Sequence, residues 1–117
     1  MKRIFHLSTC STCQRILKEW NVPAGIALQD IKTDPITKDQ IDKMIELSGS
    51  AESLFSRRAM KYKSMGLKDK NLSESDYRKL ILDEYTFLKR PVLVLDDQVF
   101  VGNSKKAVVA AKEALNS

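Results

Sequence analysis

The sequence predicts an α/β fold in which a β-α-β half and a β-β-α half share one sheet, with a helical insertion of about 35–88 between them. Three observations lead there. The chain opens with two short apolar runs flanking a helical pattern. Its middle carries helical spacing and capping signals without strand character. Near its end two short apolar runs return, followed by one more helical pattern. With 117 residues, 43% of them hydrophobic and 30% charged, the chain has the size and composition of a single domain, 1–117, able to bury a core.

The elements follow in order. Arg3–Leu7 reads as the first strand. Thr9 to Cys13 then turns into a helix reaching about Trp20, on which Ile16, Leu17 and Trp20 form one buried face. Asn21-Val22-Pro23-Ala24-Gly25 breaks that helix. Ile26–Ile31 reads as a second strand, with Ile26 and Leu28 on one face; a strand-helix-strand order implies a parallel pair.

In the insertion, Thr37-Lys38-Asp39-Gln40 has the form of a capping box ahead of Ile41, Met44 and Ile45, and Ser48-Gly49-Ser50 closes the helix. A second helical piece carries Leu54 and Phe55 and continues into "SRRAMKYKSMGL". Ser73-Glu74-Ser75-Asp76 caps a third, with Tyr77, Leu80, Ile81 and Tyr85 at helical spacing. The stretch "RPVLVLDDQVFVGN" then reads as a β-hairpin with a two-acid turn. Ser104 caps a last helix with Val108, Ala111 and Leu115 inward. This order is thioredoxin-like (glutaredoxin-like) topology.

Bulk properties exclude several function classes. No apolar run approaches the roughly 20 residues of a membrane-spanning helix. The start, "MKRIFHL", has no apolar stretch of signal-peptide length, so a cytoplasmic location without membrane partners is expected. The formal net charge of +5 suits nucleic acid, but equally small anions such as phosphate, arsenate or a glutathione carboxylate.

The stretch "LSTCSTCQRIL" holds both cysteines, Cys10 and Cys13. Two cysteines in a cytoplasmic chain are not a disulfide framework. A structural zinc site needs four ligands, and only His6 could join the pair, so no metal is expected. The remaining alternatives are two small buried apolar residues or a reaction centre. Cys10 falls where a strand ends and a helix begins. Free backbone N–H groups and the positive end of the helix dipole stabilise an anion there, and the thiolate is the nucleophile. Cys13 lies about one turn further along, on a similar face and deeper. It is placed to attack a mixed disulfide formed on Cys10. A C-x-x-C pair directly after a strand in a β-α-β unit favours the reaction centre. Arg90-Pro91 opens the third strand, a place that suits proline because it cannot donate into a sheet. In thioredoxin-like folds a cis-proline here packs beside the reactive cysteines.

At this point the chain resembles the ArsC/Spx family, which joins glutaredoxin-linked arsenate reductases, Spx transcriptional regulators and small YffB-like proteins. The resemblance covers nearly the whole chain and rests on "STCSTCQRIL", "SRRAMKYKSMGL", "KRPVLVLDDQVFVGN" and the helical insertion. It implies that Cys10 is the nucleophile and that Arg90 of the "RP" motif helps hold an oxyanion beside Pro91. It also implies an arginine of the insertion facing the cysteine, matched by Arg58 or by the adjacent Arg57. Arginine suits that task because its planar fork binds oxyanions in bidentate fashion. The alternative for Arg57 and Arg58 is a solvated basic face shared with Lys61, Lys63, Lys68 and Lys70.

Two departures matter. Arsenate reductases of the family have a third arginine after the last strand, where this chain reads "VGNSKK", with Lys105 and Lys106 nearby. They also usually lack the second cysteine, which Spx-type regulators have. The resemblance therefore implies one of two roles. One is a thiol-dependent oxidoreductase of arsenate reductase type, with no bound cofactor. It would act on a small oxyanion or disulfide and use glutathione as co-substrate or glutaredoxin as partner. The other is a redox-sensing regulator that binds the RNA polymerase α-subunit. Direct nucleic-acid binding by the Arg57–Lys70 cluster is the weakest reading, because aromatic interleaving stops at Tyr62.

Overall fold

The computed structural model describes residues 1–117. The chain divides into two compact units, Met1–Asp34 with Arg90–Ser117, and Pro35–Lys89. The first holds a four-stranded mixed sheet built from β1 (Lys2–His6), β2 (Ala27–Asp30), β3 (Val92–Leu95) and β4 (Gln98–Val101). Its strand order is β2-β1-β3-β4. β1 runs parallel to β2, and β1–β3 and β3–β4 are antiparallel. The two ends of the chain therefore build one sheet, as the alternation of patterns requires.

Two helices of this unit pack on the sheet, α1 (Ser11–Trp20) and α5 (Lys105–Leu115). Ile4, Leu93, Ile16, Trp20, Val108 and Ala111 form one buried cluster, with Leu17, Ile26, Phe100 and Leu115 partly buried against it. Side chains alternate across a strand, so Phe5, Val92 and Val94 fall on the opposite face, where all three are fully buried. The Trp20 indole N–H donates to the Val108 carbonyl at 3.0 Å, tying α1 to α5 inside the core. α1 stops at Asn21, which adopts the left-handed conformation (φ 49°) that asparagine tolerates better than most residues.

β2 is an edge strand, and its burial is not that of its apolar residues. Ile26 is partly buried on the helix-covered face, but Leu28 stays 53% exposed. Gln29, on the other face, is buried because its amide accepts from Arg3 at 3.3 Å and donates to the Asp34 carbonyl at 3.0 Å. The hairpin turns on Asp96-Asp97, with Asp96 in the left-handed region (φ 51°) and bonded to the Met1 ammonium at 3.2 Å.

The Pro35–Lys89 unit contains α2 (Lys38–Ser48), the short α3 (Met60–Ser64) and α4 (Glu74–Asp83). Both expected capping boxes form. Thr37 exchanges bonds with Gln40, and Ser73 with Asp76. Arg78 on α4 grips Asp42 on α2 with two bonds of 2.7 and 3.1 Å. Phe55 is the hub of this unit's core, stacked on Phe87 at 5.0 Å and tilted against Tyr77 at 4.9 Å.

Two helical expectations are corrected here. The segment from Leu54 through "SRRAMKYKSMGL" is not one helical piece. It is a 3₁₀ turn at Glu52–Leu54, an extended passage through Phe55, α3, and a second 3₁₀ turn at Leu67–Asp69. Backbone pairing pulls it open: Ser56 N–H donates to the Phe87 carbonyl at 2.7 Å and Lys89 N–H to the Leu54 carbonyl at 2.8 Å. Gly66, at φ 66°, then ends α3. Tyr85 likewise lies beyond α4, in a 3₁₀ turn at Tyr85–Phe87 that the Glu84 side chain caps.

Trp20→Phe is expected to lower stability by about 1–3 kcal/mol, because it removes the buried indole bond to the Val108 carbonyl and leaves part of the fully buried Trp20 volume unfilled. Urea unfolding followed by circular dichroism measures this; an unchanged midpoint would mean that the indole bond contributes nothing.

Candidate active site

The site starts at the junction of β1 and α1. Leu7 is buried just past the end of β1, and the Cys10 backbone N–H turns back to its carbonyl at 3.0 Å. Cys10 then occupies the N-cap of α1 with extended backbone (φ −94°, ψ 111°), and its own carbonyl accepts the first helical bond from Gln14 N–H at 3.1 Å. Serine or threonine is the common choice at this position because its oxygen caps the helix. Here a sulfur stands there instead, half-buried, in front of the free N–H groups of the first turn.

The two cysteines are strongly differentiated. Cys13 points into the core and is fully buried. Burial pushes its thiol up to about 11, against the opposing pull of the Leu7 backbone and Arg90, and a neighbouring Cys10 thiolate raises it further. Cys10 also feels burial, its largest single influence, which opposes ionisation. Four favourable influences outweigh it. The Cys13 backbone N–H and the Cys13 thiol direct hydrogen at the Cys10 sulfur, and Arg90 contributes both its charge and a hydrogen bond. The Cys10 thiol therefore sits below its ordinary value. The geometry supplies one nucleophile poised to ionise and one thiol held protonated beside it.

Arg90 reaches this site from the far end of the sequence. It precedes β3, and its peptide bond with Pro91 is cis. Pro91 is buried, and its carbonyl accepts Gly102 N–H at 2.9 Å, which extends the β3–β4 pairing. Cys10, Cys13 and Arg90 are thus brought together, with Pro91 next to Arg90 in the chain.

Arg57 and Arg58 belong to the other unit, Pro35–Lys89. Arg57 is already engaged. It pairs with Glu52 at 2.7 Å, donates to the Tyr77 hydroxyl at 3.1 Å and lies over the Tyr77 ring at 5.8 Å. Arg58 is exposed on the passage between the 3₁₀ turn and α3. Of the two, only Arg58 has its guanidinium uncommitted within its own unit. Lys105 and Lys106 lie exposed in the first turn of α5. The structure gathers no group of three His, Cys, Asp or Glu side chains able to hold a metal ion, and no helix is long and apolar enough to cross a membrane.

Gln14 carries no role in the sequence reading, and His6 enters it only as a third ligand too few for a zinc site. Gln14 donates to the Leu7 carbonyl at 3.0 Å, and its amide nitrogen lies 3.3 Å from His6 Nδ1. The only sequence signal is an amide side chain in the first helical turn, immediately after Cys13, within reach of the strand end.

Residues 5–111 match the model of the ArsC family. Among solved structures, a protein from Bacteroides fragilis described as related to the ArsC family superposes with a TM-score of 0.78 at 26% identity, covering 97% of this chain and 96% of that one. An arsenate reductase from Vibrio cholerae gives 0.72 at 21% identity, covering 93% and 95%. An arsenate reductase related protein from Brucella melitensis gives 0.69 at 20% identity, covering 93% and 92%. A comparison with curated proteins finds no match.

At pH 8, limiting iodoacetamide should label Cys10 and leave Cys13 almost untouched, since a thiol near 11 is ionised in only about one molecule in a thousand there. Peptide mass spectrometry reads this directly; preferential label on Cys13 would reverse the assignment.

Proposed function

The chain belongs to the ArsC family, and from that premise we propose that it is a thiol-dependent oxidoreductase in which Cys10 is the nucleophile and Cys13 the resolving thiol. The observation that carries this reading is the split between the two thiols, with Cys10 lowered at the helix entrance beside Arg90 and Cys13 buried and raised to about 11.

The chemistry runs in two exchanges. The Cys10 thiolate attacks one sulfur of a disulfide substrate, forming a Cys10 mixed disulfide and releasing the other half as a thiolate. Cys13 then gives up its proton to solvent or to the departing thiolate and attacks the Cys10 sulfur. The second half of the substrate leaves, and an intramolecular disulfide remains. Two equivalents of glutathione, or one dithiol such as reduced glutaredoxin, restore both thiols and carry away the oxidising equivalents. Once the mixed disulfide forms, the charge on Cys10 is gone, and with it one of the influences that raise Cys13. Resolution becomes easier at the moment it is needed.

Arsenate is the less favoured substrate. A doubly charged oxyanion must lose hydration beside Cys10, and each charge-assisted bond to a positioned arginine offsets that by about 1.5–3 kcal/mol. Arg90 is in place, but Arg57 is committed to Glu52 and the third arginine implied by the family resemblance is absent from "VGNSKK". Lysine is a mobile point charge that does not reproduce the fork. The presence of Cys13 also supports a second reading, a redox switch that docks on the RNA polymerase α-subunit. A pull-down with that subunit's C-terminal domain, comparing reduced and oxidised chain, separates a regulator from an enzyme.

Two outcomes are expected. Mild oxidation gives an intramolecular Cys10–Cys13 disulfide by mass spectrometry, and Cys13→Ser instead accumulates the mixed disulfide with glutathione. In a coupled assay with glutathione and glutaredoxin, a small mixed disulfide turns over at least about tenfold faster than arsenate in kcat/KM, the factor that about 1.4 kcal/mol of lost oxyanion binding represents. Arsenate turnover equal to or faster than that of the disulfide would sink the substrate assignment.

A further inference from the structure

Gln14 is exposed on the first turn of α1 and takes no part in the thiol chemistry proposed above. Its amide nitrogen sits 3.0 Å from the Leu7 carbonyl oxygen and 3.3 Å from His6 Nδ1. A carbonyl oxygen only accepts, so the nitrogen of Gln14, and not its oxygen, must face Leu7. That nitrogen carries two hydrogens. With one on Leu7, the other is left for His6, whose Nδ1 is then the unprotonated ring nitrogen. The Leu7 oxygen is the same atom that accepts the Cys10 backbone N–H at 3.0 Å, while the Gln14 backbone N–H goes to the Cys10 carbonyl at 3.1 Å. Gln14 therefore holds both ends of the turn on which Cys10 sits.

We infer that Gln14 is a positioning residue for Cys10, clamping the Leu7–Cys10 turn through the Leu7 carbonyl, and that the clamp holds in full only while His6 Nδ1 is free to accept.

The second half follows from donor and acceptor counting. A proton on His6 Nδ1 sets N–H against N–H. Flipping the Gln14 amide repairs that contact but sets its oxygen against the Leu7 oxygen. No orientation of Gln14 satisfies both neighbours, so protonation of His6 removes one of the two contacts. The groups facing His6 are few. From β2, the Asp30 carboxylate favours the protonated ring, and it is itself held by Ser8 Oγ at 2.5 Å and Lys32 N–H at 3.1 Å. From α1 comes Gln14. On the β3 side the next residue beyond the Phe5–Val92 pair is Pro91, which is uncharged. Burial is the stronger influence on His6 and lowers it from 6.5 against the pull of Asp30, so the neutral, accepting ring prevails at neutral pH and is lost as pH falls below that value.

This inference rests on the proposed role of Cys10 only in naming it the reacting group. It is tested without any physiological substrate, by the pH dependence of Cys10 alkylation with iodoacetamide in the whole chain. The wild-type rate should show the Cys10 ionisation and a second inflection below about pH 6.5. Gln14→Ala, with a helical spectrum like the wild type, should react about two- to tenfold more slowly at neutral pH, the loss of one hydrogen bond, and should lack the second inflection. Gln14→Met, similar in length but with no donor for Leu7 and no charge, should match Gln14→Ala. His6→Asn, whose amide oxygen accepts but does not titrate, should also lack the inflection. A wild-type profile with one inflection, or a Gln14→Ala profile that keeps the second, overturns the inference, the latter because His6 would then act through its charge alone. Failure to turn over any disulfide or arsenate would instead sink the oxidoreductase reading and leave this alkylation profile intact.

Discussion

The antiparallel pairing of β1 with β3 is the constraint on which the site depends. Its register sets Phe5 opposite Val92 and Ile4 opposite Leu93. One step beyond, the chain leaves β1 toward Leu7 and the Cys10 turn, while Pro91 and Arg90 enter β3 from the other direction. Groups about eighty positions apart in sequence meet at one end of the sheet because two apolar strands have one register that buries both of their faces. Slipping that register by one residue would put Ile4 and Leu93 on opposite faces, so that one of them would turn away from Trp20, Ile16 and Val108. It would also move Arg90 off the sulfur. The core and the reactive centre are thus selected by the same pairing.

Within that frame, Cys10 is the outcome of an electrostatic contest. Its half-buried position resists a charge, and nothing in the apolar core compensates. What compensates is local: the Cys13 amide at the helix entrance, the Cys13 thiol, and Arg90. Cys13 is in the opposite position, since burial dominates and the donors it meets are too few. The helix makes this asymmetry unavoidable. Three residues on from an N-cap at the surface, a side chain on the inward face reaches the level of Ile16 and the core. Two identical side chains acquire different chemistry from a displacement of less than one helical turn.

Much of this was legible in the sequence, and the parts that were not share a cause. Strand and helix order, the parallel first pair, the capping residues Thr37, Ser73 and Ser104, and the placement of Cys10 at a strand-to-helix junction are local or periodic properties. From the sequence the "SRRAMKYKSMGL" region reads as the continuation of a helical piece that carries Leu54 and Phe55. What opens it is pairing of Ser56 and Leu54 with Phe87 and Lys89, more than thirty residues away. Leu28 reads as a core residue by type, yet an edge strand leaves it outside and buries the amide of Gln29 on a specific pair of partners. Gln14 is invisible in the sequence for the same reason. Its role lies in which carbonyl and which ring nitrogen stand in front of it, and neither has a compositional signature.

The two departures from the arsenate reductase pattern belong to one chemical logic. An oxyanion is held only by charge and hydrogen bonds until it reacts, so its enzyme needs several fixed cationic forks. A disulfide substrate is held by a covalent bond after the first exchange, and what it needs next is a second thiol within reach. This chain has a second thiol, buried and held protonated, and its Arg57 is engaged by Glu52 and Tyr77. In the proposed oxidoreductase the task left to Arg90 is to stabilise one negative charge on one sulfur, which its charge and hydrogen bond at Cys10 favour. Gaining Cys13 and lacking an arginine after the last strand are therefore not independent losses and gains. In the chemistry we propose, both would move the work of retaining the substrate from electrostatics to a sulfur–sulfur bond.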